Sequence, residues 1–170
     1  MEFTLEQLND FLGRAALATY AGGAEKVDPS KPDFVSRFPG FKELEYKEGD
    51  FYYRDSYAGF FRSAGEEVVF YKGKPVWVQH YYGGMEPKYL DNENFARQTF
   101  AFLKKAMSYG EKRAAFQPRG PKELIDGDWK YNSDLKGDIR DFNGSEGIFY
   151  KGELVFTHKF FGGLIKWAKK

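Results

Sequence analysis

Gly65-Glu66-Glu67-Val68-Val69-Phe70-Tyr71-Lys72-Gly73-Lys74-Pro75-Val76-Trp77 and Gly144-Ser145-Glu146-Gly147-Ile148-Phe149-Tyr150-Lys151-Gly152-Glu153-Leu154-Val155-Phe156 are two versions of one segment, 79 residues apart. The match continues downstream in Tyr81-Tyr82-Gly83-Gly84 and Phe160-Phe161-Gly162-Gly163. Upstream, Gly49-Asp50-Phe51-Tyr52-Tyr53 aligns with Gly127-Asp128-Trp129-Lys130-Tyr131, and Gly59 with Gly137, at an offset of 78. Four blocks in the same order read as one supersecondary unit used twice. In each copy a Lys-Gly pair separates two aromatic-rich runs, as in a hairpin with a two-residue loop.

Each copy is preceded by a helical pattern. Thr4-Leu5-Glu6-Gln7 has capping-box form, and Leu5, Leu8, Leu12 and Ala15 follow at helical spacing until Gly22-Gly23. Phe95, Thr99, Phe102, Leu103 and Ala106 form the second stripe, ending at Tyr109-Gly110. Strands are expected near 42–47, 50–57, 66–71 and 75–82, then 122–125, 128–133, 146–150 and 154–161. The sequence therefore predicts an α+β fold with two similar halves. Each half is a helix followed by an antiparallel four-stranded meander, and a pseudo-two-fold axis relates the two. The expectation is a single domain over 1–170, with halves at 1–88 and 89–170. Pro-rich stretches, Val27–Gly40 and Gln117–Pro121, occupy equivalent places after each helix; the first is the longer and reads as a surface loop, with a lid as the alternative. Whether the strands join in one sheet or close a barrel is left open.

Composition removes several functions. The 170 residues contain no cysteine, which excludes disulfides, thiol nucleophiles and iron–sulfur sites. Lys and Arg number 26 against 25 Asp and Glu, so the basic excess typical of nucleic-acid binders is missing. Neither a signal peptide nor an apolar run of membrane-spanning length is present, and a cytoplasmic protein without membrane association is expected. No phosphate loop, dinucleotide motif or nucleophile elbow occurs, and His80 and His158 lack metal-ligand spacing. No cofactor and no metal are expected. Aromatic residues make up 19% of the chain, enough to build both a core and a ligand-binding surface.

Strand alternation locates the candidate residues. An unbroken hairpin about Lys72-Gly73 pairs Val69 with Val76. It puts Glu67, Val69, Val76, Val78, His80 and Tyr82 on one face, and Val68, Phe70, Trp77, Gln79 and Tyr81 on the other. By the same rule Glu146 shares a face with Thr157 and Lys159, opposite His158. Glu67 and Glu146 then occupy equivalent places on largely apolar faces. A carboxyl on such a face is either desolvated, with raised pKa, and suited to acid/base work or the reception of a cation, or it sits at a strand end in water or against a neighbouring backbone amide. Asp55, amid Tyr53 and Tyr57, marks a polar patch.

The pattern Tyr46-x-x-Gly49-Asp50-Phe51-Tyr52-Tyr53-x-Asp55-Ser56-Tyr57-x-Gly59, followed by Gly65 to Trp77 and Tyr81-Tyr82-Gly83, resembles a prokaryotic domain family known only as one of unknown function. Its members stand alone or are attached to Xre-type helix-turn-helix regulators. The resemblance implies sensing or partner binding and supplies no catalytic residues. The two halves here occupy all 170 residues, so no DNA-reading module is expected.

The leading expectation is a non-enzymatic domain that holds a small molecule or a protein segment on an aromatic sheet face. Candidate lining residues are Tyr20, Tyr53, Asp55, Tyr57, Glu67, Trp77, His80, Tyr82 and Glu146. One alternative is a small hydrolase or isomerase using Glu67 with His80, or the Glu67/Glu146 pair. Another is a homodimer or interaction protein that buries its aromatic face.

Overall fold

The computed structural model describes residues 2–22, 39–109 and 116–168. Most of the Pro-rich stretch Val27–Gly40 lies outside these residues, as do Gly23 and Gly110.

Helix α1 spans Leu5–Ala18 and opens on the expected capping box: Gln7 N donates to Thr4 Oγ1, and Thr4 N to Gln7 Oε1. Strands β1 (Lys42–Glu48), β2 (Phe51–Gly59), β3 (Arg62–Tyr71) and β4 (Lys74–Met85) follow. A short 3-10 turn leads into α2, Glu93–Ser108, capped by the Asn92 side chain on Phe95 N. Strands β5 (Glu123–Asp126), β6 (Trp129–Asp138), β7 (Asp141–Tyr150) and β8 (Glu153–Leu164) complete the chain. The fold is α+β. All eight strands form one antiparallel sheet in the order β1-β2-β3-β4-β8-β7-β6-β5. At the central seam between β4 and β8, Tyr81 lies opposite Phe160 and Gln79 opposite Gly162. Among the described residues, no helix is long and apolar enough to cross a membrane.

The two helices lie on the same face of the sheet. Leu8, Phe11, Leu12 and Ala15 of α1 pack in one core with Tyr53, Val69, Trp77, Tyr81, Phe142 and Phe160. Ala96, Phe102, Leu103, Ala106 and Met107 of α2 pack in a second core with Met85, Tyr131, Ile148 and Phe156. Each helix thus buries its apolar stripe on strands whose inward residues alternate with outward ones.

The hairpins depart from the expected register in one respect. Tyr71 pairs with Lys74 around the Lys72-Gly73 loop, whose residues have φ of 49° and 76°. Positive φ at both central positions is the type I′ turn, whose twist suits a hairpin. Beyond it, Phe70 pairs with Pro75 but Val69 pairs with Trp77, because Val76 is an extra residue in β4. Val155 is its equivalent in β8: Phe149 pairs with Leu154 and Ile148 with Phe156. A β-bulge of this kind moves every later residue to the other face. The expected faces of β4 and β8 are therefore corrected. Trp77, Gln79 and Tyr81 share the helix-covered face with Glu67 and Val69. His80 and Tyr82 lie on the far face, and His158 joins Glu146 beneath the helices.

Candidate functional site

Between α1, α2 and the helix-covered face of the sheet lies a cavity of about 390 Å³. That is within the size range of small-molecule sites. Its floor carries Asp55 of β2, Ser63 and Glu67 of β3, Tyr81 of β4, His158 of β8, and Arg119 from the segment preceding β5. Tyr20, Tyr57, Phe60 and Phe100 form much of the wall. Three cations reach the cavity across aromatic rings: Lys42 over Tyr57 at 5.6 Å, Lys104 over Tyr20 at 5.2 Å, and Arg97 over Phe60 at 5.3 Å.

The floor is organised by sheet register. One cross-strand row runs Asp55, Glu67, Gln79, Gly162; another runs Ser133, Glu146, His158, Gly83, Ser63. Arg119 joins the two rows. Its guanidinium donates to Glu67 Oε1 at 3.2 Å through Nη1, and to Glu146 Oε1 at 2.9 Å through Nε and 2.8 Å through Nη2. It also stacks over the Tyr81 ring at 5.0 Å. The segment that carries it passes close to the sheet at Gly120, whose amide donates to Tyr131 Oη at 2.9 Å. A Cβ at Gly120 would lie 2.7 Å from the Tyr131 ring, so only glycine allows this approach. Tyr131 Oη in turn donates to Glu146 Oε2 at 2.7 Å.

Asp55, Glu67, Arg119, Glu146 and His158 are buried, and their protonation follows from their neighbours. Burial alone would push Glu146 up, but the charge of Arg119, with hydrogen bonds from His158 and Arg119, outweighs it and holds the carboxyl at about 2. Glu67 meets the same burial with weaker compensation from Arg119, Tyr53 and Gln79, and its pKa is raised. Asp55 is pushed up to about 8 by burial and by the nearby Glu67, against the hydrogen bond from Tyr81 Oη at 2.8 Å. His158 is lowered, because burial outweighs its bond and attraction to Glu146. Arg119 stays charged: burial is overcome by Glu146 and Glu67.

His158 has a directional role. Nδ1 lies 3.2 Å from Glu146 Oε1 and Nε2 lies 3.3 Å from Ser63 Oγ. Glu146 is ionised and can only accept, so Nδ1 carries the ring proton and Nε2 offers its lone pair to the Ser63 hydroxyl. Ser63 and His158 are not on adjacent strands. Gly83 sits between them, with φ of 149°, and a Cβ there would come within 2.8 Å of His158 Cδ2. The missing side chain lets the serine reach the imidazole across a whole strand.

A family model for a domain of unknown function, DUF5680, matches residues 55–165. The chain belongs to the DUF5680 family. The match opens at Asp55 and takes in Ser63, Glu67, Arg119, Glu146 and His158; α1 and β1 precede it. No curated protein and no solved structure gives a significant match.

Of the residues singled out in this DUF5680 chain, Tyr20, Tyr53, Asp55, Tyr57 and Glu67 line the cavity. Glu146 lies behind the floor, bound to Arg119 and His158. Trp77 is elsewhere: it is fully buried under α1, stacked on Phe142 at 5.7 Å, with Nε1 donating to Ile139 O at 3.1 Å. His80 and Tyr82 are on the far face, where His80 Nδ1 lies 3.5 Å from Glu66 Oε2 and Tyr82 is 57% exposed. The bulge at Val76 places Glu67 and His80 on opposite faces, so a paired role for these two has no geometric basis. Sequence reasoning missed Arg119, Tyr81, Ser63 and the inward position of His158. The one local signal for Arg119 is Pro118-Arg119-Gly120-Pro121, a stiff stretch with a single cation.

Proposed function

We propose that this domain binds a small organic anion with a planar or apolar body in the cavity beneath its two helices. The observation that carries the reading is the charge of the lining. Lys42, Arg97, Lys104 and Arg119 all reach it. The two lining carboxyls, Asp55 and Glu67, both have raised pKa values, and Asp55 at about 8 is largely neutral at pH 7. Arg119 is matched by ionised Glu146 and Arg97 by Glu93, so Lys42 and Lys104 are the cations that favour a carboxylate ligand, while Tyr20, Tyr57, Phe60 and Phe100 supply apolar area. A sensing role, of the kind implied by the resemblance to regulator-linked domains, would draw on the same cavity.

The test is isothermal titration with a panel of aryl and acyl carboxylates and their neutral amides. Carboxylates are expected to bind more tightly than the matched amides, and the preference is expected to fall in the Lys42→Gln/Lys104→Gln double variant. Equal affinity for acids and amides would overturn the proposal.

We further infer that the two halves are duplicated copies related by a pseudo-two-fold through the β4–β8 seam. Tyr81 and Phe160, equivalent at the repeat offset of 79, face each other there. The sites have diverged: Gln79 donates to Glu67 Oε1 at 3.0 Å where His158 meets Glu146, and Asp55 stands where the second half has Ser133.

A further inference from the structure

We propose that Ser63, His158 and Glu146 form a nucleophile–base relay that hydrolyses an ester bond in molecules carrying a separate carboxylate, an inference that rests on the binding reading above. Four observations support it. Ser63 and His158 both line the cavity, which brings the two residues to one wall of a ligand-sized space. The contacts run in the order the chemistry needs, Glu146 Oε1 to Nδ1 and Nε2 to Ser63 Oγ, at 3.2 and 3.3 Å. The tautomer fixed by ionised Glu146 leaves Nε2 free to take a proton from the serine. Gly83, the residue between them, has no side chain to block that transfer.

Such a row is not required for packing. The equivalent row in the other half has Gln79 on Glu67, which satisfies the buried carboxylate without a titratable base. Histidine in place of glutamine adds a proton acceptor on the cavity side, directed at a hydroxyl.

The reaction balances with water as the co-reactant. Ser63 Oγ bonds to the ester carbonyl carbon as its proton passes to His158 Nε2. The tetrahedral oxyanion collapses, the bond to the alcohol oxygen breaks, and that oxygen takes the proton from the imidazolium. Water then gives a proton to Nε2 and attacks the acyl-serine carbonyl. The second collapse releases the carboxylic acid, and the proton returns to Ser63 Oγ. Glu146 touches no substrate; it is a positioning residue that holds the imidazole tautomer, itself anchored by Arg119 and Tyr131. A lowered His158 pKa keeps the ring neutral, and so able to act as a base, at pH 7.

The experiment is intact-protein mass spectrometry of the full chain after incubation with a small alkyl fluorophosphonate, followed by peptide mapping. The expected result is a single adduct on the Ser63 peptide, absent in Ser63→Ala. In His158→Gln, labelling is expected to slow by roughly 100-fold or more. That variant copies the Gln79 arrangement and keeps a donor for Glu146, so its fold is preserved; circular dichroism checks this. The wild-type rate is expected to be flat from pH 7 to 9. Absence of an adduct on folded wild-type protein, or equal rates in His158→Gln, overturns the relay. Carboxylate titration of Ser63→Ala separates the two proposals. Carboxylate binding without Ser63 labelling sinks the hydrolase alone. Labelling without a preference for carboxylates over amides sinks the anionic substrate class.

Discussion

Asp55→Asn is expected to stabilise the protein, and by an amount that grows with pH. The side chain is 3% exposed and its pKa of about 8 stands well above the ordinary 3.8. Below about pH 3.8 the carboxyl is neutral in both the folded and the unfolded chain, and it costs nothing. Above that value the unfolded chain releases the proton while the folded one retains it, so stability falls as pH rises toward 8. Above the folded value both forms are ionised and the cost levels off. At 1.36 kcal/mol for each tenfold change in proton affinity, the penalty is about 4 kcal/mol at pH 7 and about 5–6 kcal/mol on the plateau. Asparagine has the same shape and keeps a carbonyl oxygen for the Tyr81 hydroxyl, but it cannot ionise. Urea denaturation of both proteins at pH 4, 5.5, 7 and 8.5 measures the gap. It is expected to be small at pH 4 and to widen steadily. A gap that stays constant with pH, or narrows, would refute the assignment of a neutral carboxyl to the cavity floor.

Arg119→Met leaves Glu146 and Glu67 buried without their cation, and is expected to cost about 3–5 kcal/mol in chemical denaturation. Adding Glu146→Gln to that variant is expected to restore part of the loss, and no recovery would argue against Glu146 as its main partner. In acid, stability contributed by ionised Glu146 is present above the ordinary carboxylate range. It is expected to be lost as pH falls from about 4.5 toward its folded value of about 2, a loss that Glu146→Gln should not show. Lys151→Asn is expected to raise stability by up to about 1 kcal/mol, because Lys151 sits at φ 49° in a turn that favours Asn-Gly. A lower melting temperature for that variant would contradict the turn assignment.

The likeness in sequence between residues 65–77 and 144–156 made the architecture legible. The hairpin loops at Lys72-Gly73 and Lys151-Gly152, the eight strands and both helices emerge from sequence alone, with strand ends extended by a few residues. The pairing partner of β4 was not legible, because joining to β8 is a choice made by packing rather than by any local signal. The bulges at Val76 and Val155 were also invisible. Valine is an ordinary strand residue, and one extra position in a hairpin leaves no compositional mark. That one position in each hairpin is why Trp77, His80 and His158 are expected from the sequence on the wrong faces. Arg119 lies outside any strand or helix, so no periodicity could point to it, although two equivalent buried glutamates imply that a cation must come from somewhere.

The seam between β4 and β8 also has a kinetic meaning. Of the seven strand pairings among the described residues, six join strands consecutive in sequence, and this one alone spans some 80 residues. Six hairpins can close over short loops, so the entropy of bringing distant chain segments together is concentrated in one event. Side chains at that junction, such as Tyr81 opposite Phe160, are therefore placed to govern how fast the chain reaches its native state as well as how stable it is there.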